Sequence, residues 1–97
     1  MKNKIYKTRG TFFKLWNRRI PDGKNIEFFA VEYKFYPDLG EYIVLLETLT
    51  EMECYFHHPV IRARMSEKEV FLAKILFNGK IFYMKHNDLL NHFTPCK

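Results

Sequence analysis

Asn78-Gly79, set between the apolar runs 70–77 and 81–84, constrains this chain more than any other feature. Asn followed by Gly accepts the positive φ angles of a two-residue type I′ turn, and alternating apolar residues on both sides make the pair a β-hairpin signal. With the turn at Asn78-Gly79, Phe77 faces Lys80 and the register is fixed outward along both strands. One face then holds Phe71, Ala73, Ile75, Phe77, Phe82 and Met84 and is expected to be core. The other holds Leu72, Lys74, Leu76, Ile81, Tyr83 and Lys85, a mixture of basic, aromatic and aliphatic groups suited to partial cover or to contact with a partner.

Strand patterns precede the hairpin. Residues 1–10 read as a flexible basic arm or a short edge strand, and Thr11 to Trp16 as a strand with Phe13 and Leu15 on one face and Phe12, Lys14 and Trp16 on the other. A basic loop, 17–25, follows and turns at Pro21-Asp22-Gly23. From Ile26 to Tyr36 strict alternation points Phe29, Val31, Tyr33 and Phe35 inward against Phe28, Ala30, Glu32 and Lys34. After a turn at Pro37-Asp38-Leu39-Gly40, residues 41–50 fit a strand with Tyr42, Val44, Leu46 and Thr48 facing Phe35, Tyr33, Val31 and Phe29. A helix over 42–56 is the competing reading, because Tyr42, Leu45, Leu46, Leu49, Met52, Glu53 and Phe56 share a helical stripe. Residues 51–59 are acidic and then reach Cys54-Tyr55-Phe56-His57-His58, a short strand or an irregular crossing. Residues 60–65 alternate again, with Arg62 and Arg64 opposite Ile61, Ala63 and Met65, and 66–69 read as a turn into the hairpin. At the end, 87–93 form one helical or 3₁₀ turn capped by Asn87 or Asp88 and packed through Leu89, Leu90 and Phe93, before a short tail.

The expected fold is therefore mainly β: a small single-domain antiparallel sheet or barrel of five to six strands with a short C-terminal helical turn, or alternatively an α+β domain with a helix over 42–56. Residues 1–97 form one domain, long enough for one core and too short for two. The ending Gly79-Lys80-Ile81-Phe82-Tyr83-Met84-Lys85-His86-Asn87-Asp88-Leu89-Leu90 resembles the last strand and 3₁₀ turn of SH3-like barrels. The resemblance implies a barrel fold and carries over no functional residue. Ten Phe and six Tyr place the chain far from the disordered class.

Charge is distributed in blocks. Residues 1–24 sum to +7, 25–59 to −6 and 60–97 to +4, which together give the net +5. Basic ends attract phosphate backbones regardless of sequence, and aromatic faces among them suit base stacking. The candidate contact residues are Lys7, Arg9, Lys14, Trp16, Arg18, Arg19, Lys24, Lys74, Tyr83 and Lys85. The leading expectation is a non-enzymatic binding module that contacts nucleic acid or a nucleoprotein complex. The alternative is a protein-interaction domain, such as a phage or mobile-element inhibitor of a host enzyme. The acidic middle suits that alternative, and so does the AT-rich codon usage implied by 44 Phe, Tyr, Met, Ile, Asn and Lys residues.

Other chemistries leave thinner traces. Cys54, His57, His92 and Cys96 have spacings that suit a tetrahedral zinc, set against Cys54 as a small buried hydrophobe and Cys96 as a thiol on a frayed end. His57, His58, His86 or His92 with Arg18, Arg19, Arg62 or Arg64 would be the parts of a small ribonuclease. No phosphate loop, nucleophile elbow or dinucleotide fingerprint is present, and no cofactor is expected. No apolar run approaches the roughly 20 residues that span a bilayer. Two cysteines and no apolar leader point to the cytoplasm.

Overall fold

A computed structural model describes residues 4–8, 12–20, 25–34, 41–58 and 60–96, with the side chains of Phe12, Phe13, Glu32, Tyr33 and Lys34 outside that description. The chain is mainly β: β1 (Lys4–Thr8), β2 (Phe12–Arg19), β3 (Glu27–Lys34), β4 (Tyr42–His58), β5 (Ala63–Phe77), β6 (Lys80–Lys85), the helix α1 (His86–His92) and β7 (Phe93–Pro95). The strands form one sheet in the order β3-β2-β6-β5-β4-β1-β7, and a further pairing of β3 with β4 closes the first five into a small barrel. That closing pair is parallel, Glu27 to Phe29 beside Tyr55 to His57, whereas the other ladders are antiparallel. No helix among the described residues is long and apolar enough to cross a membrane.

The hairpin forms in the expected register, with Phe77 facing Lys80, Ile75 facing Phe82 and Ala73 facing Met84. Asn78 and Gly79 have φ of 51° and 72°, the left-handed conformation that an Asn-Gly pair tolerates. Much of both faces of this hairpin is covered, because the barrel closes on one side and a second layer lies on the other, while Phe71 and Ile81 stay half exposed. An inner cluster takes side chains from all five barrel strands: Trp16, Phe28, Cys54, Phe56, Val70, Leu72 and Tyr83. An outer cluster of Leu15, Ile43, Leu45, Ala73, Ile75, Phe77, Phe82 and Met84 is covered by Tyr6 of β1, Leu89 of α1 and Phe93 of β7. The expectation of a single core is corrected: 97 residues hold two clusters by sharing one sheet between them. Leu72 and Tyr83, placed on the half-covered face, lie inside the barrel. Phe71, expected in the core, is half exposed and rests against His86 at 4.4 Å, since the ladders from β4 to β1 stop at Leu45 and the covering layer ends.

Strand β4 is a strand and not a helix, and its 17 residues serve both clusters. Ile43 and Leu45 face the outer cluster and Cys54 and Phe56 the inner one. Two irregularities make this possible. The register against β5 shifts between Leu45 and Glu47. Farther along, Met52 and Glu53 are both exposed, as are Lys68 and Glu69 across the ladder, and Glu69 has a φ of 54°. An extra residue in each strand at the same level leaves the register intact and turns the ribbon over.

No period-2 pattern reveals these bulges, and several other expectations are corrected. Tyr42 is exposed while Ile43 and Leu45 are buried, the reverse of the expected face. The antiparallel pairing of Phe29, Val31 and Tyr33 with Thr48, Leu46 and Val44 does not form. β3 instead runs antiparallel to β2 along its whole length and meets β4 farther on, so Phe28 faces inward and Phe29 outward. Residues 66–69 are strand, and the turn lies at 60–62, where Arg62 has a φ of 50°. Strand β2 continues through Arg18 and Arg19, which were assigned to a loop. Residues 1–10 contribute the strand β1, and the expected tail contributes β7. The helix is capped by Lys85 with no side-chain hydrogen bond, not by Asn87 or Asp88, and Leu90 is exposed. Phe35 and the turns at Pro21-Asp22-Gly23 and Pro37-Asp38-Leu39-Gly40 lie outside the described residues.

Candidate functional site

The parallel seam between β3 and β4 carries a row of charged and aromatic side chains across the outer surface of the barrel. Cross-strand neighbours share a face, so pairing Arg19 with Glu27, Asn17 with Phe29 and Arg64 with His57 brings the outward groups of four strands together. One oxygen of Glu27 lies 2.8 Å from Arg64 Nε and 2.6 Å from His57 Nε2. The Arg64 hydrogen bond, then the His57 one, hold the Glu27 carboxyl below its ordinary value of 4.5. An ionised carboxylate only accepts, so His57 donates from Nε2.

Stacking extends the row in both directions. The Arg64 guanidinium carbon lies 3.6 Å from the Tyr55 ring centroid, His57 stacks on Phe29 at 4.2 Å and 9°, and the Arg19 guanidinium lies 5.3 Å from the Phe29 centroid. Beside this row a cleft of about 320 Å³ opens between β3 and the β4–β5 turn, lined by Phe29, Ala30, His57, His58, Arg62, Ala63 and Arg64. None of these lining residues is acidic. Among the described residues, no carboxylate lies within 4.0 Å of Arg19 or Arg62. His58 is anchored from below, its ring edge-on to the buried Trp16 at 5.2 Å.

The expected contact residues divide into three groups. Lys7 on β1 and Lys14 and Arg19 on β2 are exposed. Arg18, Lys74 and Lys85 have acidic partners: Glu51 at 4.0 Å, Glu47 at 3.8 Å and Glu67 at 2.9 Å. Lys85 also lies 4.8 Å over the Phe56 ring. Trp16 and Tyr83 are 4% and 6% exposed, so neither offers a ring face for stacking. Both point into a barrel too small to be filled without large rings, and that packing need overrides the reading of them as contact residues. Arg9 and Lys24 lie outside the described residues.

Arg19 alone of these candidates belongs to the seam. Of its other members, His57, His58, Arg62 and Arg64 were expected only as ribonuclease parts, with His57 also a candidate zinc ligand, while Phe29 was expected in the core and Glu27 had no expected role. The signal was the density of His57-His58 and Arg62-x-Arg64 around one turn.

The four candidate zinc ligands are separated. Cys54 is fully buried inside the barrel and His57 is bonded to Glu27, while His92 ends α1 and Cys96 follows β7. Among the described residues no three His, Cys, Asp or Glu side chains surround a common point. Burial, and then the nearby Glu67 and Glu51, push the Cys54 thiol up to about 11. No family model matches this chain, and no curated protein or solved structure does so.

Proposed function

We propose that this protein is a non-enzymatic binding module that contacts nucleic acid, alone or within a nucleoprotein complex, through the seam between β3 and β4. The observation that carries this reading is the convergence of Arg19, Arg62, Arg64, His57 and His58 around a cleft whose described lining has no acidic residue. Glu27, the carboxylate of the row, is already engaged by two donors, so it orders the cationic groups more than it cancels them. Guanidinium groups beside aromatic rings recognise phosphate and base together.

Binding of labelled oligonucleotides across a salt series tests this reading. Log K falls linearly with log salt for several phosphate contacts, and Arg19→Ala flattens the slope by about one. Arg18→Ala has a smaller effect, because Arg18 already faces Glu51. Absence of binding at low salt refutes the proposal.

A second reading, a protein-interaction domain, draws support from a different observation. Met52, Val60, Ile61 and Met65, in the distal half of the β4–β5 ribbon, are between 52% and 81% exposed, a concentration of apolar surface at one end. Recovery of one stoichiometric partner after nuclease treatment, lost on Ile61→Lys, distinguishes this reading from the first.

A further inference from the structure

We infer that the cleft beside the seam selects an unstacked nucleotide of a single strand over duplex nucleic acid. The inference rests on the nucleic-acid reading and adds the form of the ligand. A duplex presents phosphates outward and keeps its base faces covered, so a protein surface meets it through spread cationic groups. This site is built otherwise. Its volume of about 320 Å³ is that of a small-ligand pocket, and its described lining joins the rings of Phe29, His57 and His58 and the small residues Ala30 and Ala63 to the guanidinium groups of Arg62 and Arg64. A ring has no open base face to stack on in an intact duplex. The rings of the cleft suit a base that has left its stack, with its phosphate on the guanidinium groups.

Two further features fit the same ligand. Arg62 is held at a φ of 50°, a strained conformation for a residue with a side chain, at the turn that forms one wall of the cleft. On the other wall, β3 beyond Phe29 pairs only with β2 among the described residues, so one backbone edge runs along the cleft from Ala30. That geometry suits an extended strand lying beside the sheet. Of the two arginines, Arg64 is tied to Glu27 and fixed over Tyr55, whereas Arg62 has no carboxylate partner among the described residues and is the group that meets the phosphate.

The test compares the affinity of the full chain for a fluorescent single-stranded eight-mer, the same sequence as a duplex, free nucleoside monophosphate and inorganic phosphate at one salt concentration. The expected result is at least tenfold tighter binding of the single strand than of the duplex. Nucleoside monophosphate competes and inorganic phosphate alone does so far more weakly. Arg62→Gly removes the guanidinium while leaving a residue that accepts the same φ, so the turn is kept. It lowers single-strand affinity about tenfold and duplex affinity only by the small amount that loss of one surface charge brings. Phe29→Leu, checked for native circular dichroism, weakens the single strand only. Equal affinity for both forms, or an Arg62→Gly variant that binds the single strand like the parent, overturns the inference and leaves the broader nucleic-acid reading standing. No binding of either form at low salt overturns both.

Discussion

The two clusters that share this sheet are filled differently. The outer one is mostly aliphatic, with Leu15, Ile43, Leu45, Ile75, Met84 and Leu89 packed under a helix and two short strands. The inner one is mostly aromatic: Trp16 meets Phe56 edge-on at 4.8 Å, Phe28 stacks on Phe56 at 5.1 Å, and Tyr83 meets Phe28 edge-on at 5.5 Å. A five-stranded barrel gives each strand room for one or two inward side chains, so a few large rings must do the filling. An open sheet under a helix can accept many branched aliphatics. The same rings also reach the surface chemistry. Phe28 precedes Phe29, Phe56 precedes His57, and Trp16 supports His58. The inner cluster is thus the foundation of the cleft, and the outer one holds the sheet in shape.

The sharpest break of this contrast comes from matched truncations. Phe56→Ala and Phe82→Ala each cost about 3–5 kcal/mol in urea unfolding, because both rings are buried. Only Phe56→Ala also lowers oligonucleotide affinity per folded molecule. Equal loss of binding from both would erase the division between the clusters. Gly79→Val comes next, at about 1–2 kcal/mol. Nothing lies within 4 Å of an added Cβ, so the cost is the left-handed φ of 72° alone, and oligonucleotide binding is unchanged. Glu69→Gly has the opposite sign: relief of its φ of 54° outweighs the added chain entropy and raises stability by about 0.5 kcal/mol, read as a higher Tm.

The smallest effects are those of pH. Glu27 has a lowered folded pKa, so its contribution is present above its ordinary value of 4.5 and lost as pH falls below it. The stability gap between the parent and Glu27→Gln closes on acidification. Cys54, raised from 9.0 to about 11, contributes below 9 and loses that contribution as pH rises through the folded value. A thiol reagent at pH 8 labels Cys96 at once and Cys54 only on unfolding.

Local chemistry and the barrel were legible in the sequence, and the strand pair that closes the ring was not. Asn78-Gly79 set its hairpin to the residue, because turn type fixes register within a few positions. The β character of 42–50 followed from branched and aromatic content. Its inward face came out reversed, since that face was read from a pairing with β3 that does not form, and farther on the bulge at Leu45/Glu47 and the paired irregularity near Met52 and Glu69 shift the alternation without changing composition. Expecting β3 to pair with the start of β4 was natural for neighbours in sequence, and a parallel contact with its far end has no local signature. For that reason Arg19 was singled out for binding and Glu27 was not. Trp16 and Tyr83 looked like contact residues because a strand buried on both faces shows the same mixture as one facing a partner.

The parallel seam also bears on the order in which the protein comes together. The β2–β3 and β5–β6 hairpins bring together nearby residues, whereas joining β3 to the end of β4 closes a long loop for only three residue pairs. This junction, and the β2–β6 one that rests on the single pair Trp16 and Tyr83, zip last and open first. Glu27 and Phe29 meet His57 and Arg64 only across the parallel seam. A nascent or partly opened chain therefore carries every residue of the cleft without the cleft itself, and recognition belongs to the finished barrel.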